Sequence, residues 1–359
     1  MLYSSQLVAA VMAISLFGGV LAHPGEQHHP EVIKREIAKR NHYAAQNKRA
    51  LANCENTVHA QELKKRAVER RAATANKLRA ERKLSNKPIN HRRDLAELEY
   101  WESVDHESNA SYTLDTPEEV LFAANTSCAL TPETITGPYW VKGEQLRESL
   151  VEDQRGVPTH YDLQFVDVAT CKPIPKLMVD IWACNATGIY SGIGSGQAGL
   201  DTTFLRGVQM SDSDGVVQFD TIFPGHYTGR ATHQHILTHY NSTLLPNDTY
   251  TGGTVSHIGQ LFFDESLKNK IYDTYPYTLN TEYYTHNNND TNGLAANASS
   301  TDFDPFPEWL MLGDKLSDGL LMWISIGVNL SANYDSDASY GATWTADGGV
   351  YNPDGSPSI

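Results

Sequence analysis

Tyr227, Arg230, His233 and His235 fall within nine residues of the segment Pro224-Gly-His-Tyr-Thr-Gly-Arg-Ala-Thr-His-Gln-His235. Alternate side chains of an extended strand share a face, so His233 and His235 project together, with Gln234 opposite. Two imidazoles so placed can hold one metal ion, and a tyrosine at the preceding Pro-Gly corner can reach the same point. A phenolate is a hard oxygen donor. Joined to two imidazoles, it favours a hard, highly charged ion such as ferric iron over zinc. A lone His-x-His is usually ordinary strand chemistry; the phenol and guanidinium at these offsets make the metal reading specific.

A second phenol precedes this segment. Asp180-Ile-Trp-Ala-Cys-Asn-Ala-Thr-Gly-Ile-Tyr190 reads as a strand running into a glycine-containing turn that ends in Tyr190.

The elements that must position these groups are short strands. Tyr161–Val168, Leu177–Trp182, Gly215–Ile222, His233–Tyr240, Gly259–Phe263 and Leu320–Val328 are β-like runs, and Ser211-Asp-Ser-Asp-Gly215 is a turn. One helix is expected over Ser266–Tyr275, and the Asn/Thr/Ser-rich stretch 283–306 reads as a surface loop. Many short strands without long interleaved helices predict an all-β fold, an antiparallel sandwich.

Trp182, Gly188-x-Tyr190, Pro224-x-x-Tyr227 and Arg230-x-x-His233-x-His235, in that order, resemble the intradiol ring-cleaving dioxygenases, in particular a secreted fungal branch. Leu130–Trp140, Phe204–Gln209 and Gly259–Asp264 add to the likeness, which spans about Cys128 to Asn329. The resemblance implies one non-haem Fe(III) per chain, held by Tyr190, Tyr227, His233 and His235. It implies Arg230 and Tyr227 as catalytic groups, one stabilising developing negative charge and the other accepting a proton. Gln260, Tyr139 and Trp140 would contact substrate, although an aromatic core role for Tyr139 and Trp140 is nearly as well supported. The implied reaction joins a catechol-type diol to O2 and cleaves the ring between the hydroxylated carbons, giving a muconate-type diacid. Two features depart from the catechol and protocatechuate enzymes: Tyr227 and Arg230 are only three apart, and Ala183 follows Trp182 where many relatives carry His. Arg206 is expected to be structural, and His226, His239 and His257 satisfied or exposed.

Composition sets the context. Residues 1–22 read as a secretory signal, with an apolar run Leu7–Leu21 ending at Ala22. Eight Asn-x-Ser/Thr sequons, at Asn109, Asn125, Asn185, Asn241, Asn247, Asn289, Asn297 and Asn329, agree with export and a glycoprotein. Residues 23–100 hold 18 basic and 10 acidic residues, whereas 101–359 hold 10 and 33. That asymmetry predicts a basic helical propeptide or appendage over 23–110, a sandwich domain over 111–335 and a tail over 336–359. Dibasic pairs at Lys65-Arg66, Arg70-Arg71 and Arg92-Arg93 would suit processing. The four cysteines, Cys54, Cys128, Cys171 and Cys184, allow several pairings; with Cys54 isolated, a single bridge among the other three is as well supported as any full set. No nucleic-acid or membrane partner is expected once the signal is removed, and the oligomeric state stays open. The competing reading is a secreted sandwich, metal-free or binding zinc or copper, that acts on or binds carbohydrate or cell wall. The copper version would use an N-terminal His23, and the zinc version a third histidine.

Overall fold

Every side chain of β11 (Leu320–Val328) is buried, because the strand is covered on both faces. Leu320, Met322, Ile324, Ile326 and Val328 enter the central core with Tyr161, Leu163 and Phe165. The alternate residues Leu321 and Trp323 face a helix and meet its Val68, Ala72, Ala75 and Leu78. The unbroken apolar run is therefore two alternating patterns superimposed.

The computed structural model describes residues 54, 57–84, 136–194, 196–290 and 304–353. Among them, two four-stranded sheets form the sandwich. The first runs β10 (Glu308–Met311), β11, β2 (Pro158–Asp167), β5 (Val216–Ile222). The second runs β4 (Arg206–Met210), β3 (Met178–Trp182), β6 (His233–Tyr240), β9 (Thr254–Phe262). Val179, Ile181, Ile236 and Leu261 carry the second sheet into the shared core. The pairs are antiparallel except β11 with β2, which run parallel and so cannot be joined by a hairpin. β9 begins five residues before the expected Gly259. Its start is masked in sequence by the polar Ser256 and His257, which are buried here.

The smaller elements lie around this frame. β1 (Val141–Lys142) pairs in parallel with β12 (Ala342–Thr345), which pairs with β13 (Gly348–Tyr351). Much of the expected tail thus closes over the Tyr139-Trp140 segment, and the Gly341 amide donates to the Trp140 carbonyl at 2.8 Å. β7 (Thr243–Leu244) and β8 (Tyr250–Thr251) form a short hairpin, and α2 (Glu265–Tyr272) falls where a helix was expected.

The basic segment contributes α1 (Val58–Glu81), capped by the Thr57 hydroxyl and laid across the outer face of the first sheet. Its buried stripe includes Leu63, Ala67, Val68, Arg71, Ala72, Ala75, Leu78 and Arg79, the spacing of one helical face. Alanines and arginines fill much of that stripe, which is why it reads as weakly apolar in sequence. Arg70 and Arg71 both bond Asp162, at 2.7–3.3 Å, and Arg66 pairs with Asp214. The Arg70-Arg71 pair is therefore a docking key, with Arg71 fully buried, rather than an exposed cleavage sequence.

A disulfide joins Cys54 to Cys171, with Cα atoms 5.1 Å apart. Of the pairings left open by the sequence, this excludes a bridge among Cys128, Cys171 and Cys184, and Cys184 is a free, buried thiol. Among the described residues no helix is long and apolar enough to cross a membrane. The signal segment 1–22, Arg92-Arg93, Cys128 and the sequons at Asn109, Asn125 and Asn297 lie outside the described residues.

Candidate metal centre

The centre sits on the outer face of the second sheet, opposite the shared core. β6 supplies His233 and His235 on one face, as the alternation predicts. His235 lies across from Trp182 of β3 on one side and Gln260 of β9 on the other. The Trp182 indole stacks on the His235 imidazole at 4.5 Å with the planes 6° apart, which fixes the ring.

Two glycines bring the tyrosines in. A Cβ on Gly225 would lie 2.3 Å from the Asn185 carbonyl oxygen, and one on Gly188 (φ +85) would lie 2.5 Å from the His226 carbonyl oxygen. The turn ending in Tyr190 and the corner before Tyr227 therefore interlock at a distance only glycine permits. The Asn185 side chain braces the first turn by accepting from the Thr187 and Ile189 amides, and its own amide donates to Gln154. Tyr227, Thr228, Gly229 and Arg230 make a tight turn with Gly229 at φ +90, so the short Tyr227–Arg230 spacing places both side chains at the centre.

The four rings close a circuit. Centroids are 5.7 Å apart for Tyr190–Tyr227, 5.7 Å for Tyr227–His233, 4.6 Å for His233–His235 and 6.4 Å for His235–Tyr190. The Nε2 atoms of His233 and His235 are 3.0 Å apart, and the Tyr227 hydroxyl is 3.4 Å from His233 Nε2. Two nitrogens each about 2.1 Å from one ion, at a right angle, would stand about 3 Å apart. His233 Nδ1 bonds the Ala231 carbonyl at 2.6 Å; a carbonyl only accepts, so Nδ1 carries the proton and Nε2 keeps its lone pair for the centre. The Tyr190 hydroxyl is fully buried, close to Tyr227, yet makes no well-formed hydrogen bond.

Burial pushes both phenols above their ordinary range, Tyr190 with further help from Tyr227, and pushes the His233 imidazole down so that it stays neutral. Neutral imidazoles are ready ligands. Only a strongly positive ion at the centre would reverse the preference of the phenols, and binding it would release their protons. The residues present thus fit a hard cation of high charge. Among the described residues no three His, Cys, Asp or Glu side chains are grouped to hold a metal, so a zinc site built on a third histidine has no support there.

Arg230 is buried beside this circuit. Its Nε donates to both Asp290 oxygens at 3.1 Å and its Nη2 to Gln260 Oε1 at 2.5 Å. Burial disfavours the charge, but Asp290 and Tyr227 more than offset that, leaving the guanidinium more basic than usual. Tyr139 stacks on Tyr190 at 4.6 Å and meets Tyr227 edge-on at 6.2 Å, so it walls the centre. Trp140 instead packs against His239 and Tyr340 and donates its N–H to Asp180 at 2.8 Å, which is the core alternative. His226, His239 and His257 are all buried.

Two further residues near the centre were not assigned to it from sequence. Arg206, expected to be structural, bonds the Ser191 carbonyl and hydroxyl next to Tyr190 and holds its guanidinium 5.9 Å from the Tyr190 ring. Asp290 lies in the stretch expected as a surface loop but is fully buried. Its Asn/Thr-rich surroundings gave no sign of that.

A family profile described as dioxygenase matches residues 135–243, which contain all four ring residues. The chain aligns with the solved structure of an intradiol ring-cleavage dioxygenase from Tetranychus urticae at 31% identity, over 57% of this chain and 97% of that one, with a TM-score of 0.47. A second dioxygenase crystal structure aligns at 32% identity over the same shares, with a TM-score of 0.48. The dioxygenase domain of a carbohydrate-binding fusion from Streptomyces sp. SirexAA-E aligns at 22% identity, over 56% of this chain and 98% of that one, with a TM-score of 0.35. No curated protein matches the chain. Identity above 30% across nearly the whole of two relatives shows the family: the chain belongs to the intradiol ring-cleavage dioxygenases. It is an aromatic ring-cleaving dioxygenase with an all-β sandwich fold.

Proposed function

We propose that this chain is an exported Fe(III) dioxygenase that opens neutral catechols between the two hydroxylated carbons. The observation that carries the proposal is the closed circuit of Tyr190, Tyr227, His233 and His235, with the imidazole Nε2 atoms 3.0 Å apart. When bound, ferric iron would favour the doubly deprotonated diol, whose electron-rich ring is the form that reacts with O2.

The chain's own residues divide the remaining work. Tyr190, His233 and His235 hold the centre, with Trp182 fixing one ring and Tyr139 covering one phenol. Tyr227, ionised when the cation is bound and beside the Arg230 guanidinium, would accept a substrate proton at its phenolate oxygen. Arg230, held by Asp290 and Gln260, stabilises negative charge as the ring gains ketonic character. Both atoms of O2 enter the product: the O–O bond and the C–C bond between the hydroxylated carbons break, each of those carbons gains one C–O bond, and catechol becomes a muconate-type diacid. The four electrons come from the substrate, so no external reductant is needed.

Charge supports a neutral substrate. Residues 101–359 carry 33 acidic against 10 basic residues, and two of the cations are ion-paired, Arg230 with Asp290 and Arg147 with Glu152. Export is supported by the apolar leader, the Cys54–Cys171 disulfide and the exposed sequon asparagines Asn241, Asn247 and Asn289. The test is oxygen uptake with a panel of dihydroxybenzenes. Stoichiometric uptake with catechol or hydroxyquinol and little with protocatechuate is expected; uptake with none of them overturns the proposal.

A further inference from the structure

Asp290 touches both halves of the centre at once. Both of its carboxylate oxygens accept from Arg230 Nε, and Oδ2 also accepts from the Ala231 backbone N–H at 3.1 Å. The carbonyl of that same residue, Ala231, accepts from His233 Nδ1 at 2.6 Å. A continuous chain of hydrogen bonds therefore runs from one buried carboxylate through a single residue's backbone to an imidazole of the centre. The same carboxylate also fixes the guanidinium beside that centre.

We infer that Asp290 is a positioning residue for ring cleavage. It sets the tautomer and plane of His233 through Ala231 and aims Arg230 at the reacting ring. The inference rests on the ferric reading proposed above. Its physical basis is that a metal-ligating imidazole whose other nitrogen is committed to an oxygen keeps one tautomer, and loss of such outer partners typically costs 10–100-fold in metal affinity or activity. Arg230 has a second holder in Gln260, whereas Ala231 is fixed to the 283–290 stretch through Asp290. Removing the carboxylate should therefore disturb the imidazole and the guanidinium together, which loss of Gln260 would not do.

The experiment uses the full-length protein and the variants Asp290→Ala, Asp290→Asn and Asp290→Glu. Three quantities are read: the His233 ring-nitrogen shifts by 15N NMR in iron-free protein, iron affinity by chelator competition, and kcat and KM for catechol. The wild type should show a single tautomer protonated at Nδ1. Asp290→Ala should show mixed tautomers, bind iron roughly 10–100-fold more weakly and lose kcat more than it gains KM. Asp290→Asn, which keeps an oxygen for Ala231, should restore the tautomer and iron affinity but not kcat, because Arg230 loses its counter-charge. Asp290→Glu tests whether a displaced carboxylate recovers both. If Asp290→Ala does not fold, Asp290→Asn alone decides between the two roles through its split of affinity from kcat. An unchanged tautomer, with iron affinity and kcat within twofold of wild type, overturns the inference. A wild type that binds no ferric iron sinks the ferric reading instead, while the tautomer comparison still decides whether Asp290 orients His233.

Discussion

Gly225 approaches the backbone of Asn185 so closely that a Cβ there would sit 2.3 Å from the Asn185 carbonyl oxygen. The two tyrosine-bearing turns are locked by this contact and by its counterpart between Gly188 and His226. Gly225→Ala should separate the turns and move Tyr227 off the centre. Iron content should fall severalfold, with a loss of stability of about 1–3 kcal/mol typical of overpacking. Metal analysis beside a thermal melt would check this; an alanine variant with full iron would show that the turns have slack.

Ring cleavage should vanish in Tyr190→Phe and in His233→Ala, with iron content reduced in the histidine variant. The phenylalanine variant should also lose or shift its visible absorption, since one phenolate is gone. Activity surviving in either variant, measured by oxygen uptake, would remove that residue from the centre.

Arg230→Ala should retain iron but lose turnover by about 10²–10³-fold, the usual effect of deleting one preorganised stabiliser of developing charge. Arg230→Lys should recover part of the loss. Unchanged kcat in the alanine variant would make Arg230 purely a structural partner of Asp290.

Ionisation of Asp162 should strengthen the hold of helix α1 on the first sheet. Burial alone would raise this carboxyl, but hydrogen bonds and charge from Arg70 and Arg71 hold it at about 2, below the ordinary carboxylate value. A depressed folded-state value means the stabilisation is complete above about pH 4 and is lost as pH falls toward 2. Asp162→Asn should leave Arg71 buried without its counter-charge and cost about 3–5 kcal/mol at neutral pH. Denaturant melts of both proteins between pH 2 and 7 should converge at the acid end; parallel curves would contradict the pairing.

Reduction of Cys54–Cys171 should cost up to about 5 kcal/mol, because the bridge closes a span of 117 residues. Deletion through residue 84 should expose Trp323 and Leu321 and destabilise the sandwich. A deletion variant that melts like the intact protein would support the reading of this segment as a dispensable appendage.

How much of this was legible in the sequence depended on whether a residue's role was local. The histidines on β6 follow from alternation, and the strand spans follow from apolar runs such as Leu320–Val328. Gly188 and Gly225 stand in the motifs, but their reason, a contact between two distant turns, is visible only in space. Helix α1 was expected, but its docking was not: its buried face is built from Ala and Arg, and its partner Asp162 sits in the middle of a strand. The Cys54–Cys171 bridge was hidden in the same way, since it depends on where that helix lies. Asp290 was the deepest miss, because a run of Asn and Thr reads as solvated whether or not one carboxylate within it turns inward.

The most direct test of the central claim is the visible spectrum of the purified protein beside its metal stoichiometry. Two phenolates on one ferric ion predict a red to brown protein with one iron per chain, its colour changing when catechol is added without oxygen. A colourless protein carrying stoichiometric zinc, or no metal at all, would contradict the account.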